Sequence, residues 1–109
     1  MEKKQKKDAF ITISKNCVNV FVGFKYTLKY DPFETQTEIK GNVLYMYIID
    51  ACNDVYDACY GRGICYYTFN FVFEYREEID QRYKILVIDP RIENPIIVSE
   101  GIISFSTLP

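Results

Sequence analysis

The segment VNVFVGFKYTLKY, residues 18–30, alternates between apolar and polar side chains with a period of two. Its even-numbered positions are all apolar or aromatic, and its odd-numbered positions are polar or glycine except for Phe21. This pattern predicts a long β-strand with one face against a core and the other in water. We interpret Gly23 as a bulge or bend, which a strand of this length usually needs.

A second alternating strand is predicted in the other half of the chain. Its odd-numbered positions form an aromatic face made of Tyr67, Phe69, Phe71, Phe73 and Tyr75. Aromatic rows of this kind can stack on nucleic-acid bases, but base-binding sheets need basic surroundings. The charged residues at the end of this strand and just after it are mostly acidic. We therefore interpret the aromatic face as core.

Residues 50–60 depart from the strand pattern. Apolar residues recur there at helical spacing, at Ile48, Cys52, Val55, Tyr56 and Cys59. Asp50 suits the N-cap, and Gly61 stands where a left-handed C-cap belongs. The spacing predicts one helix over about 50–60.

Several shorter apolar runs predict further strands. Three of them, residues 43–49, 85–88 and 96–98, are apolar on both faces. The whole pattern predicts an α+β, mostly β fold: an antiparallel sheet of about six to seven strands, curled over or packed with the single helix. A small β-sandwich is the alternative. We expect a single β-rich domain, residues 9–109, behind a flexible basic tail, residues 1–8.

The chain contains no histidine among its 109 residues. This excludes Ser-His-Asp and Cys-His nucleophile systems and the histidine-containing zinc sites. The acidic residues do not match the spacing of a calcium loop, and no phosphate-binding loop is present. We therefore predict a protein without enzymatic activity, cofactor or metal.

The charges are distributed unevenly along the chain. There are 13 Lys and Arg against 15 Asp and Glu, a net charge of −2. Residues 1–8 contain four lysines and two acids, so the rest of the chain is acidic and would weakly repel a nucleic-acid backbone. The candidate nucleic-acid arm in the tail consists of Lys3, Lys4, Lys6 and Lys7.

Four cysteines, Cys17, Cys52, Cys59 and Cys65, are many for a chain of this length. They are candidate disulfide partners or buried free thiols, and the absence of CxxC spacing argues against zinc. On one helix, Cys52 and Cys59 would be about 10 Å apart, at 1.5 Å of rise per residue. Because that distance is too long for a bridge, we expect any disulfide to join one of them to Cys17 or Cys65.

The strands that are apolar on both faces need cover on both sides. A lone helix covers one side of a sheet, so other strands, a second copy or a partner must cover the other side. We expect a homodimer or a protein partner there. The candidate contact residues are Tyr45, Tyr47, Leu86 and Ile88.

These features favour a non-enzymatic protein-interaction protein, or a structural or accessory one, that self-associates or binds a partner through an apolar sheet face. The abundance of Ile, Lys, Asn, Tyr and Phe points to an AT-rich genome, and a small protein without motifs is typical of a virus. One alternative is a nucleic-acid-binding protein that uses the lysine arm. The other is a small-ligand carrier with an aromatic cavity lined by Tyr56, Tyr67, Phe69 and Phe71.

The sequence also carries an expectation about location. The opening residues MEKKQKKDAF place no long apolar run behind the lysines, and nowhere are there 18 consecutive apolar residues. We expect no classical secretion signal and no membrane association. The predicted location is intracellular, in the cytoplasm of a host or in a virion.

Overall fold

Seven strands make up most of the residues that the structure describes, which are 9–14, 17–30, 32–52, 59–74 and 80–104. The structure is a computed structural model. In chain order the strands are β1 (Ala9–Ser14), β2 (Cys17–Lys29), β3 (Phe33–Lys40), β4 (Val43–Asp50), β5 (Tyr60–Glu74), β6 (Gln81–Ile88) and β7 (Ile96–Ile103). The prediction of a mostly β chain is confirmed.

The strands form two sheets. One is a three-stranded antiparallel sheet with the order β1-β2-β5, and the other is a four-stranded sheet with the order β3-β4-β6-β7. Within the four-stranded sheet, β4 and β6 are parallel and the other neighbours are antiparallel. Both sheets contribute to one hydrophobic core, so the strands pack as a sandwich. The single sheet that we expected first is wrong, because strands rather than a helix supply the second layer.

The alternation of side chains builds the centre of the core. Val18, Val20 and Val22 of β2 have no exposed surface, and neither do Met46 of β4 and Ile85 of β6 from the opposite sheet. All five belong to the same hydrophobic cluster. The predicted strand with one dry face is therefore confirmed.

The aromatic face of β5 also packs into this core. Its described members belong to the hydrophobic cluster or pack against it: Tyr67, Phe69, Phe71 and Phe73. The rings of Phe69 and Phe24 stack with their centroids 5.8 Å apart. The interpretation of this face as core is confirmed for these residues, while Tyr75 lies outside the described residues.

The helix predicted over about 50–60 is not seen. Asp50 is the last residue of β4 and Tyr60 is the first of β5, and residues 53–58 lie outside the described residues. Ile48 and Asp50 at the end of β4, and Cys52 just after it, are buried. Among the described residues, no helix is long and apolar enough to cross a membrane.

The irregularity in β2 lies between Thr27 and Lys29, not at Gly23. The register with β5 is continuous at Gly23, where an added Cβ atom would overlap the ring of Tyr66. Glycine is required there by this close approach of an aromatic ring rather than by a bulge. The register shift after Thr27 reverses the alternation and turns Lys29 into the interior.

Candidate functional site

A cluster of polar side chains is buried at the end of the sandwich where the chain leaves β4 for β5. Asp50 is 3% exposed and Lys29 is 7% exposed. The Lys29 Nζ atom lies 3.4 Å from Asp50 Oδ1, and it donates a hydrogen bond of 3.3 Å to the carbonyl oxygen of Pro32. It also lies 4.5 Å from the centroid of the Phe33 ring. An ion pair at this depth needs such additional contacts to offset the loss of water.

Asp50 accepts three further hydrogen bonds. The hydroxyl groups of Tyr26 and Tyr60 donate to Oδ2 at 2.7 and 2.6 Å, and the backbone N–H of Cys52 donates to Oδ1 at 3.1 Å. Burial alone would raise the pKa of Asp50, but the hydrogen bonds, together with Lys29, outweigh it and lower the pKa. Burial and the hydrogen bond to Asp50 raise the pKa of both tyrosines. At neutral pH Asp50 is therefore a carboxylate held by two neutral phenols and paired with the Lys29 side chain.

A second ion pair lies beside the first. Arg91 Nε and Nη2 donate to the two oxygens of Asp89 at 2.9 and 3.0 Å, and the Arg91 backbone N–H donates to Oδ1 at 2.9 Å. The guanidinium carbon lies 4.1 Å from the centroid of the Tyr60 ring. Because Tyr60 also donates to Asp50, the two ion pairs form one network. This network joins β2, β4, β5 and the turn between β6 and β7.

The network is suited to holding the strands together rather than to acid–base catalysis. Every buried side-chain nitrogen or oxygen in the described part of the chain has a hydrogen-bond partner. A proton transfer involving Asp50 or Asp89 would have to disrupt an ion pair and its hydrogen bonds, which is costly in a buried setting. No group of three or more Cys, Asp or Glu residues within the described ranges is arranged to hold a metal ion.

The sequence reasoning missed this cluster. It took Asp50 for a helix N-cap and placed Lys29 on the wet side of β2. A usable signal was present for Asp50, because it follows Leu44, Met46 and Ile48 at the same parity and so lies on the inward face of β4. For Lys29 the alternation gave no such signal, because the register shift reverses its direction.

The cysteines correct another expectation. Cys52 and Cys59 are paired at disulfide distance, with their Cα atoms 6.1 Å apart, and Cys17 and Cys65 are free thiols. The prediction that Cys52 and Cys59 could not bridge each other is wrong, because the helical rise of about 10 Å between them does not apply. Cys17 lies on β2, and Cys65 of β5 lies opposite Tyr26 of β2. Cys17 and Tyr26 are separated by roughly 30 Å along β2, at 3.4 Å per residue, so Cys17 and Cys65 cannot form a disulfide.

The four residues predicted to contact a partner lie on the outward side of the four-stranded sheet. In the register of the sheet, Tyr47 is beside Leu86, and Leu86 is beside Ile97 of β7. The rings of Tyr45 and Tyr47 stack with centroids 6.0 Å apart. We call this surface the outer face, and it consists of Tyr45, Tyr47, Ile49, Leu86, Ile88 and Ile97.

Charged side chains surround the outer face. They are three acids and three bases, at Glu34, Glu38, Lys40, Arg82, Lys84 and Glu100. The Tyr47 hydroxyl donates to Glu38 at 2.6 Å, and this hydrogen bond, together with burial, raises the pKa of Tyr47 to about 12. Tyr47 is therefore neutral and oriented at physiological pH. Within the described residues, no strand packs on this side of the sheet.

The residues of the other two functional hypotheses lie either outside the described residues or in the core. The lysine arm, Lys3 to Lys7, and Tyr56 lie outside the described residues. Tyr67, Phe69 and Phe71 pack in the core. Two open clefts, of about 300 and 310 Å³, are lined by other residues.

Comparisons with protein families, with curated proteins and with solved structures find no match for this chain.

Proposed function

We propose that the chain is a non-enzymatic structural or accessory protein that acts by self-association through the outer face. The observation that carries this proposal is the apolar outer face, on which no described strand packs; its central Leu86 is 8% exposed, and the tyrosines beside it are half-buried. Ile97 at its margin is 47% exposed. Apolar side chains gathered on a sheet face without a packing partner favour an interaction site, because leaving them in water is unfavourable.

The composition of the surface favours a second copy as the occupant. Its surrounding charges balance, with three acids and three bases, so two identical faces can meet without net repulsion. An apolar centre within a polar rim is also the usual anatomy of a protein interface. The stacked rings of Tyr45 and Tyr47 add rigid aromatic surface, which is common among residues that dominate binding energy.

The test is the mass of the protein in solution, measured by sedimentation velocity over a wide range of concentration. We expect the wild type to exceed the monomer mass and Ile97→Asp to shift the association to higher concentration. A buried aspartate at the interface would lack a partner and would have to lose its water. The matched control is Ile39→Asp on β3, since Ile39 is 66% exposed and does not belong to the outer face.

Two results would contradict the proposal. One is a wild-type protein that stays monomeric at the highest concentration reached. The other is equal association of the Ile97→Asp and Ile39→Asp variants, which would show that the outer face contributes nothing specific.

A further inference from the structure

The strand β5 lies at an edge of the three-stranded sheet. It is 15 residues long, and in the described part of the chain β2 is its one neighbour in that sheet. An edge strand exposes a row of backbone N–H and C=O groups that another strand can pair with. Natural proteins therefore protect such edges by short length, charged side chains, proline or bulges.

The other edge strands have these protections, and the central part of β5 has none. The strand β1 is six residues long, β3 carries Glu34, Glu38 and Lys40, and β7 has a register shift opposite β6. In contrast, residues 64–72 of β5 contain no charge and no proline, and their pairing with β2 is regular throughout. This stretch is a ready template for one more strand.

The outward side chains of the stretch are large and exposed. Ile64 is 72% exposed, Tyr66 52% and Val72 58%. Thr68 lies midway between Ile64 and Val72 on the same side of the strand. In an antiparallel pair of two β5 strands centred on Thr68, Ile64 of each copy lies directly opposite Val72 of the other. Cross-strand pairs of β-branched residues stabilise a sheet.

The charges at the two ends of the stretch match the same arrangement. Arg62 precedes it and Glu74 ends the strand, and both are exposed. Because Arg62 and Glu74 are equally far from Thr68 along the chain, an antiparallel pair centred there brings the base of one copy to the acid of the other at both ends. A parallel pair in register would instead place like charges together, which is unfavourable.

We propose that β5 pairs antiparallel with β5 of a second copy, in a register centred on Thr68. The pairing forms a continuous six-stranded sheet with two-fold symmetry, and backbone hydrogen bonds supply much of its stability. This interface lies on the three-stranded sheet, whereas the outer face belongs to the four-stranded sheet. The two interfaces can therefore exist together, and either can exist without the other.

The test uses opposite charges at the centre of the pair. Thr68→Lys and Thr68→Glu are each made in the Ile97→Asp background, where association through the outer face is weakened. Each variant alone places two like charges directly opposite each other, so we expect its dissociation constant to rise at least about tenfold. An equimolar mixture should restore the dimer as a heterodimer, detected by native mass spectrometry from the different masses of the two chains.

The matched control is Asn70→Lys, at an exposed position two residues away on the same side of β5. In the proposed register the two introduced lysines would be roughly 14 Å apart, at 3.4 Å per residue, so dimerisation should change much less. A circular dichroism spectrum of each variant checks that it is folded. Formation of the heterodimer would also show this directly.

Three outcomes would overturn the proposal. The first is an Ile97→Asp protein that is monomeric at all concentrations, and the second is a Thr68→Lys variant that dimerises as well as its parent. The third is a mixture of the two charged variants that forms no heterodimer. A different result would contradict the outer-face proposal: an Ile97→Asp variant that associates in the same way as the wild type.

Discussion

The centre and the polar end of the sandwich are both buried, but different forces hold them. In the centre, fully buried side chains such as Val20, Met46 and Ile85 are held by their removal from water and by close packing. At the polar end, Asp50 and Lys29 have buried side chains that are fixed by hydrogen bonds of defined length and direction. The centre tolerates small changes of shape, whereas the polar end depends on every partner being present.

This difference sets what each region contributes to the fold. Apolar contacts favour any arrangement that brings two dry faces together, and they specify alignment mainly through shape. The polar network joins side chains from four parts of the chain in one geometry, so it can fix how the two sheets align at this end. The disulfide between Cys52 and Cys59 lies next to the network, since the backbone of Cys52 donates to Asp50.

The largest effect is expected from removing the carboxylate of Asp50. Asp50→Ala leaves Lys29 buried without its ion-pair partner and takes the acceptor from Tyr26 and Tyr60. We expect the free energy of unfolding at pH 7 to fall by about 3–5 kcal/mol, the usual cost of breaking a buried ion pair. Urea denaturation followed by tyrosine fluorescence measures it.

The matched control is Glu38→Ala, which removes an exposed acid that also pairs with a lysine and accepts from a tyrosine. Its free energy of unfolding should stay close to that of the wild type, because exposed ion pairs contribute little. If Asp50→Ala were as mild as this control, the polar end would have no special part in stability.

A smaller effect is expected from a cavity in the centre. Ile85→Ala removes apolar atoms from a residue with no exposed surface, and we expect a loss of about 3 kcal/mol from the lost burial and the remaining cavity. Ile102→Ala on β7 is the control, since Ile102 is 59% exposed. An Ile85→Ala variant no less stable than Ile102→Ala would mean that the centre is not closely packed.

The smallest loss of stability is expected from lowering the pH, one pH unit at a time. This loss affects the polar end and not the centre. The pKa of Asp50 and the pKa of Asp89 are lowered in the folded protein, since hydrogen bonds and neighbouring cations outweigh the effect of burial. The stability that they contribute is fully present above the unfolded pKa of about 3.9 and is lost as the pH falls through the folded pKa. Each carboxyl contributes at most about 1.4 kcal/mol per pH unit.

The difference between wild type and Asp50→Ala should therefore shrink below pH 4, while the difference between wild type and Ile85→Ala stays constant. Urea denaturation of the three proteins at pH 7, 4 and 3 gives the comparison. A constant penalty for Asp50→Ala down to pH 3 would show that its carboxylate is not the source of the effect.

The sequence predicted the centre of the fold well and the polar end poorly. Alternation identifies the inward residues of β2 because burial of apolar surface follows directly from side-chain direction, which reverses at each residue. The aromatic face of β5 was interpreted correctly for the same reason. Which strands pair, and that they form two sheets, depends on contacts between residues far apart in the chain, and alternation carries no information about those.

The polar end was missed because its residues acquire their roles only through distant partners. Lys29 points inward because of the register shift between Thr27 and Lys29, and nothing in its neighbours along the chain predicts that shift. Asp50 and Cys52 were assigned to a helix because apolar residues recur there at helical spacing, whereas Asp50 is the last residue of β4. The apolar side chains on the outward side of β4 and β6 were easier to recognise, because runs that are apolar on both faces are visible in the sequence itself.

The parallel pairing of β4 with β6 has a consequence for how the chain reaches this structure. The strands of a parallel pair cannot be joined by a tight turn, and here the chain passes through β5 in the other sheet before it returns. The β4–β6 ladder therefore closes a long loop, as does the ladder between β2 and β5, and such closures make folding slow. During that delay the uncharged stretch of β5, residues 64–72, is open to other chains, so among the described strands this edge is the one with the fewest protections against misassembly.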